Sequence, residues 1–257
     1  MIFKKHFSIK IITLLLIILL ASCHTSNKNT LTIATSANMQ FAMDELISEF
    51  SKETGIKCQT IIGSSGKLTA QIKEGAPYQL FVSANMKYPN NLFHAGLTTS
   101  PPKIYAFGKL ILWTVNSSVK PSLSILTQNN IKHIATANPK TAPYGSATIE
   151  VLKNIHLYNE VESKLVFGQS IAQTNQFITT KVADLGFTSK SVVLTKKMKG
   201  VGNWIEIDST LYSPIAQGVV ILKSKKSELE KATKFYNFLF SSKAKEILNN
   251  FGYSTNK

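Results

Sequence analysis

One pattern recurs four times along the chain: a short apolar stretch, a break of small polar residues, then a run with helical periodicity. Leu31–Ala34 leads through Ser36, Ala37 and Asn38 into a stretch with Met39, Met43, Leu46, Ile47 and Phe50 on one face. Cys58–Ile62 leads through Gly63, Ser64, Ser65 and Gly66 into Lys67–Lys73, with Leu68 and Ile72 facing inward. Ile131–Ala137 leads through Asn138, Pro139, Pro143, Tyr144 and Gly145 into Ser146–Ile155. Lys164–Phe167 leads through Gly168, Gln169 and Ser170 into Ile171–Thr180. Strands alternating with helices specify an α/β fold with a largely parallel sheet. Each break also places Ser, Asn, Gly or Pro at a helix start. Backbone N–H groups there lack intrahelical partners and the dipole end is positive, so each break offers an anion a docking point with no charged side chain. Simple capping accounts for any one such junction.

Two longer apolar runs suggest how the chain divides. Lys109–Val115 and Ser213–Leu222 both read as strands. If the chain passes between lobes at these two places, residues 31–110 with 216–257 form one lobe and 111–215 the other. A helix over Glu228–Leu248, apolar at Ala232, Phe235, Tyr236, Leu239 and Phe240 with lysines opposite, is expected to pack on the first lobe.

The N-terminus carries an export signal. Lys4, Lys5 and Lys10 precede the apolar run Ile11–Leu20, which is short for a transmembrane helix. The following Leu20-Ala21-Ser22-Cys23 resembles a bacterial lipobox, in which cleavage after residue 22 leaves Cys23 as an acylated N-terminus. Residues 23–30 then read as a tether on the periplasmic or cell-surface side of the membrane. Cys58 is left as the sole thiol, in a run that reads as a buried strand, and no intrachain disulfide is available.

The chain is strongly basic, with a formal net charge of +15, and all 29 of its basic residues are lysine. Without arginine it has no guanidinium fork for phosphates or bases, and the lysines are scattered rather than clustered, so nucleic acid is not an expected partner. Catalytic patterns are missing. Gly63-Ser64-Ser65-Gly66-Lys67 lacks the spacing of a phosphate loop, and Leu68 stands where such a loop places a magnesium-binding hydroxyl. The histidines His24, His94, His133 and His156 show no metal-ligand spacing with one another or with Cys58, so no bound metal cation is expected. Asp44 and Glu45 read as solvated helix residues. An exported chain with no evident nucleophile or acid–base pair reads as a binder rather than an enzyme. An exported hydrolase or transferase, or an adhesin that binds no small anion, are the readings from other classes.

A resemblance sharpens this. Gly63-Ser64-Ser65-Gly66-Lys67-Leu68, then Gly75-Ala76-Pro77 through Phe81-Val82-Ser83-Ala84-Asn85, resembles the molybdate-binding substrate-binding proteins of ABC importers, the ModA family. The likeness spans roughly 31 to 254. It includes Ala37-Asn38 with Ala42-Met43, Pro139 with Pro143 and Gly145, Leu185-Gly186-Phe187, and the ending Phe251-Gly252-Tyr253. The resemblance implies a two-lobed type II periplasmic-binding fold with two crossing strands and a cleft that closes on a tetrahedral oxyanion. It implies no cofactor, a monomeric protein, molybdate or tungstate as ligand (sulfate or another oxyanion being the alternative), and delivery to a membrane permease with its ATPase. The family's ligand positions fall on Asn38, Ser65, Tyr144, Ile171 and Ser189, with Ser65 donating its hydroxyl and Tyr144 and Ile171 their backbone N–H. Many members carry Ser at the position of Asn38 and Tyr at that of Ser189. Gln79 and Asn85 replace common aspartates.

Overall fold

The structure is a computed structural model that describes residues 30–255. The expected signal segment and Cys23 lie outside the described residues. In chain order the elements are β1 (Thr30–Ser36), α1 (Gln40–Thr54), β2 (Lys57–Gly63), α2 (Ser65–Lys73), β3 (Leu80–Ser83), α3 (Lys87–His94), β4 (Lys103–Gly108) and β5 (Leu110–Thr114). There follow β6 (Ile134–Ala137), α4 (Pro143–Asn154), α5 (Tyr158–Val161), β7 (Leu165–Gly168), α6 (Ile171–Thr179), β8 (Leu185–Ser189), α7 (Lys190–Val193) and β9 (Asn203–Glu206). The chain closes with β10 (Ile215–Ile221), α8 (Lys226–Phe238) and α9 (Ser242–Asn250).

The strands form two five-stranded sheets, ordered β2-β1-β3-β10-β4 and β7-β6-β8-β5-β9. Both are mixed rather than largely parallel. β1 pairs parallel with β3, and β6 parallel with β7 and β8, but β10 runs antiparallel to β3 and β4, and β5 antiparallel to β8 and β9. The antiparallel strands border the passages from one sheet to the other. The first passage falls at Lys109, between β4 in the first sheet and β5 in the second; the return runs from β9 to β10.

Period-two alternation sorts the strand residues onto the two faces of each sheet. Leu31, Ile33, Leu80, Val82, Val219 and Ile221 join one apolar cluster with α1, α8 and α9. Ala34, Phe81 and Val220 join another with Leu68 and Ile72 of α2 and Leu92 of α3. In the second sheet Leu110, Leu112, Leu185 and Phe187 face α4, while Ile111, Trp113 and Ala135 face Ile178 of α6. The inward faces of α1 and α2 are those read from the sequence, with Met43, Leu46 and Phe50 fully buried.

The C-terminal helix is a correction: it is two helices. Ser241 ends the expected single run by capping the second one, its hydroxyl accepting from the Ala244 N–H at 3.2 Å. α8 still docks on α1, where Phe50 meets Phe235 edge-on at 4.9 Å and Phe238 at 5.6 Å. Cys58 is half-buried rather than buried, because β2 is an edge strand with a neighbour on one side only. Burial still pushes its thiol up to about 12.

Candidate functional site

Two helices start earlier than their periodicity suggests, and this shapes the site. α2 begins at Ser65 and α4 at Pro143, so residues read as breaks are first-turn residues. Proline suits the first helical position, where its missing N–H has no partner to lose. Gly145 permits the approach of that turn to β6, since a Cβ there would lie 2.1 Å from the Ala137 carbonyl oxygen.

The four strand-to-helix junctions converge on one pocket at the carboxyl ends of the strands, the place where α/β sheets expose free N–H groups. It encloses about 190 Å³, mouth included. Its lining comes from Ser36–Asn38, Gly63–Ser65, Ala84, Ala142–Tyr144 and Ile171, and holds no charged side chain. Asn38, Ser65, Tyr144 and Ile171 are thus brought together. Ser189 is not among the lining residues. It sits behind them, fully buried at the end of β8, its hydroxyl paired with that of Ser191. Ser191 in turn donates to the Asn38 carbonyl at 2.7 Å.

The side chains divide into braces and free donors. Asn38 spends both amide hydrogens away from the pocket's centre, on Gln217 Oε1 at 2.9 Å and the Tyr253 hydroxyl at 3.0 Å. Tyr253 returns its own proton to the Asn38 carbonyl at 2.7 Å. What Asn38 has left for a ligand is its backbone N–H. Ser65 accepts from the Ala84 N–H at 3.0 Å and shares a 2.7 Å hydrogen bond with Ser36. Ser36 uses its single proton on the Val82 carbonyl at 3.0 Å, so Ser65 is the donor to Ser36. Ser64 occupies the N-cap of α2, makes no capping bond, and its buried hydroxyl has no partner. Ser36, Ser64, Gln217 and Tyr253 carry no charge that marks a site. Ser36 and Ser64 stand in the first two junction breaks and Tyr253 in the Phe251-Gly252-Tyr253 ending, but none of these signals assigns the residue a role.

The pocket's electrostatics are those of oriented dipoles. Burial drives the phenol of Tyr144 well above its ordinary range, reinforced by neighbouring Tyr253, and burial likewise raises Tyr253. Both therefore stay neutral and able to donate. The lobes are clasped across the mouth. The Gly66 N–H donates to the Thr141 carbonyl at 2.9 Å, and the Tyr88 hydroxyl to the Lys140 carbonyl at 3.2 Å. Among the described residues no group of three or more His, Cys, Asp or Glu is placed to hold a metal ion. His94, His133 and His156 are all exposed.

Residues 31–254 match the family of bacterial extracellular solute-binding proteins. The molybdate-binding protein ModA of Azotobacter vinelandii is 38% identical over 224 residues, 86% of this chain and 88% of that protein. A Bacillus subtilis protein provisionally named an ABC transporter substrate-binding lipoprotein, YvgL, is 29% identical over 98% of this chain and 99% of its own length. The solved structure of the Azotobacter vinelandii periplasmic molybdate-binding protein superposes with a TM-score of 0.84 at 32% identity, covering 88% of this chain and 100% of that one. Such proteins bind solutes rather than transform them, in keeping with a pocket of donors. The chain belongs to the bacterial extracellular solute-binding protein family and is a homologue of the ModA molybdate-binding proteins.

Proposed function

We propose that this chain captures molybdate, and by the same chemistry tungstate, outside the cytoplasm and hands it to the permease of an ABC importer driven by a cytoplasmic ATPase. The observation that carries this reading is the convergence of four helix or strand ends on a pocket with no charged lining residue. A molybdate dianion is unprotonated near neutral pH, so its oxygens only accept. Neutral N–H and O–H donors satisfy it, and each hydrogen bond to a charged acceptor contributes about 1.5–3 kcal/mol. Several of them offset the desolvation of the anion once the lobes exclude water. The proposed contacts are the backbone N–H groups of Asn38, Tyr144 and Ile171 and the hydroxyl of Ser65, whose proton turns from Ser36 to the anion on binding. Ser189 supports Asn38 from behind. The lobes proposed to close on the anion are residues 31–110 with 216–257, and 111–215.

Titration calorimetry with molybdate, tungstate, sulfate and phosphate in turn tests the reading. Tight one-to-one binding of molybdate and tungstate, unaffected by added salt, is expected. Preference for sulfate, or equal weak heats that fade with salt as surface lysines are screened, refutes it. The chain is further proposed to act as a monomer held to the membrane by acylated Cys23, a reading supported by the lipobox and by the likeness to the Bacillus lipoprotein. Cys23→Ser should move the protein from the membrane to the soluble fraction. Wild type that is already soluble without detergent refutes the anchor.

A further inference from the structure

We infer that the Ser64 hydroxyl is an additional anion donor, kept free for the ligand beside Ser65 at the start of α2. The inference rests on the oxyanion-binding reading above and adds a residue to it. Ser64 is 4% exposed, lines the pocket, and its Oγ has no hydrogen-bond partner. A serine at an N-cap ordinarily accepts from the N–H two or three residues on. Here the N–H two residues on, that of Gly66, is turned across the cleft to Thr141, and Ser64 makes no capping bond at all. A buried hydroxyl left without a partner is destabilising, and native structures hold few of them.

The neighbouring groups sharpen the assignment. Ser65 and Ser36 are both engaged, with each other, with Ala84 and with Val82. Thr35, Thr136, Tyr105 and Ser224 also bury unpartnered hydroxyls, but none of them lines the pocket. Asn38 Oδ1 is unpartnered too, yet it can only accept, which is the wrong sign for an oxyanion. The phenol of Tyr144 reaches away to the strand crossing, where a Cβ on Gly108 would lie 2.1 Å from its oxygen. Ser64 is the pocket hydroxyl whose proton is uncommitted, and an acceptor-only anion supplies the partner it lacks. The two serines then divide the work: Ser65 is held in place by protein groups, and Ser64 is completed by the ligand.

The test uses the full chain, sodium molybdate, and the variants Ser64→Ala, Ser64→Gly and Ser65→Ala. Ser64→Gly keeps a residue suited to the N-cap while removing the hydroxyl. Both Ser64 variants should bind molybdate about tenfold or more weakly, while their ligand-free melting temperatures hold or rise, because an unsatisfied buried group has been removed. Ser65→Ala should lower both affinity and ligand-free stability. Wild-type affinity in Ser64→Ala and Ser64→Gly, with wild type binding normally, overturns the inference and leaves the functional reading intact. A fall of several degrees in the ligand-free melting temperature of both Ser64 variants also overturns it, since the hydroxyl would then serve the fold. Wild type that binds no molybdate refutes the functional reading, and this inference with it.

Discussion

Replacing Gly66 by alanine should separate closure of the cleft from folding of the lobes. A Cβ at Gly66 would lie 3.0 Å from both Cα and O of Thr141, and 2.8 Å from the Tyr88 hydroxyl. The tyrosine end can swing aside. The Thr141 backbone cannot, because it is fixed by its N–H to the Asn138 carbonyl at 3.1 Å. The lobes must therefore stand apart by a fraction of an ångström, enough to lose the Gly66–Thr141 hydrogen bond and lengthen the Tyr88–Lys140 one. Two such bonds have a net worth of about 0.5–1.5 kcal/mol each, so affinity should fall by about 1–3 kcal/mol, or roughly 5- to 150-fold. Inside the helix the sign reverses. Alanine is favoured over glycine in a helix by up to about 1 kcal/mol, so the lobe carrying α2 should not lose stability. Calorimetry with molybdate gives the affinity, and small-angle scattering with and without molybdate gives the compaction on closure. Affinity within about twofold of wild type, with unchanged compaction, would show that the clasp seen across the mouth contributes nothing to ligand retention.

Ser65→Ala should weaken molybdate binding by about 1.5–3 kcal/mol, whereas Ile171→Val should change it little because the backbone donor remains; calorimetry on both that reversed the order would refute the assigned roles. Affinity should be flat between about pH 6 and 9, since no lining residue ionises there and burial raises the phenols of Tyr144 and Tyr253; a change of about tenfold in affinity per pH unit would mean that a group in the site exchanges a proton on binding. Glu206 lies 2.6 Å from Lys190 and 3.4 Å from Lys109; burial pushes its carboxyl up, but the two lysines outweigh this and the net direction is down. Its contribution is present above its unfolded value of 4.5 and lost as pH falls through the lower folded value, so Glu206→Gln should flatten the acid limb of a melting-temperature profile. Cys58, with its thiol pushed up to about 12, should resist iodoacetamide at pH 8 until the chain is unfolded, as followed by mass spectrometry.

How much of this could be read in the sequence follows from the range of the interactions involved. The junctions were legible because they are local: an apolar run, a few small polar residues and a helical period lie next to one another in the chain. Ser65, Tyr144 and Ile171 became candidates through the resemblance to the ModA family, and they fall at these junctions, where a first-turn N–H points the same way whatever the rest of the fold does. The antiparallel strands were not legible, because β10 finds β3 and β4 across more than a hundred residues, and its apolar run reads alike in either direction. The break between α8 and α9 was hidden for a different reason. Leu239 and Phe240 carry the apolar pattern straight through the gap, and only the Ser241 cap stops the helix.

The buried network behind the pocket was the least legible part, and its composition explains why. Asn38, Gln217, Tyr253 and the Ser189–Ser191 pair come from four separate stretches and meet only after both sheets have formed. Neutral hydrogen-bonding residues are common enough that none announces a role, whereas a histidine cluster or a carboxylate pair would have. That neutrality is also what the site requires. A lysine in the pocket would attract any anion, and this chain has 29 of them to place elsewhere. A shell of fixed N–H and O–H donors binds through position, so an anion that must keep a proton, or whose oxygens sit at another radius, leaves donors unpaired at a cost of about 1–3 kcal/mol each. Discrimination in such a pocket comes from bracing. Asn38 spends its amide on Gln217 and Tyr253, and Ser65 takes the Ala84 N–H, to hold donors where one shape of anion can meet them all.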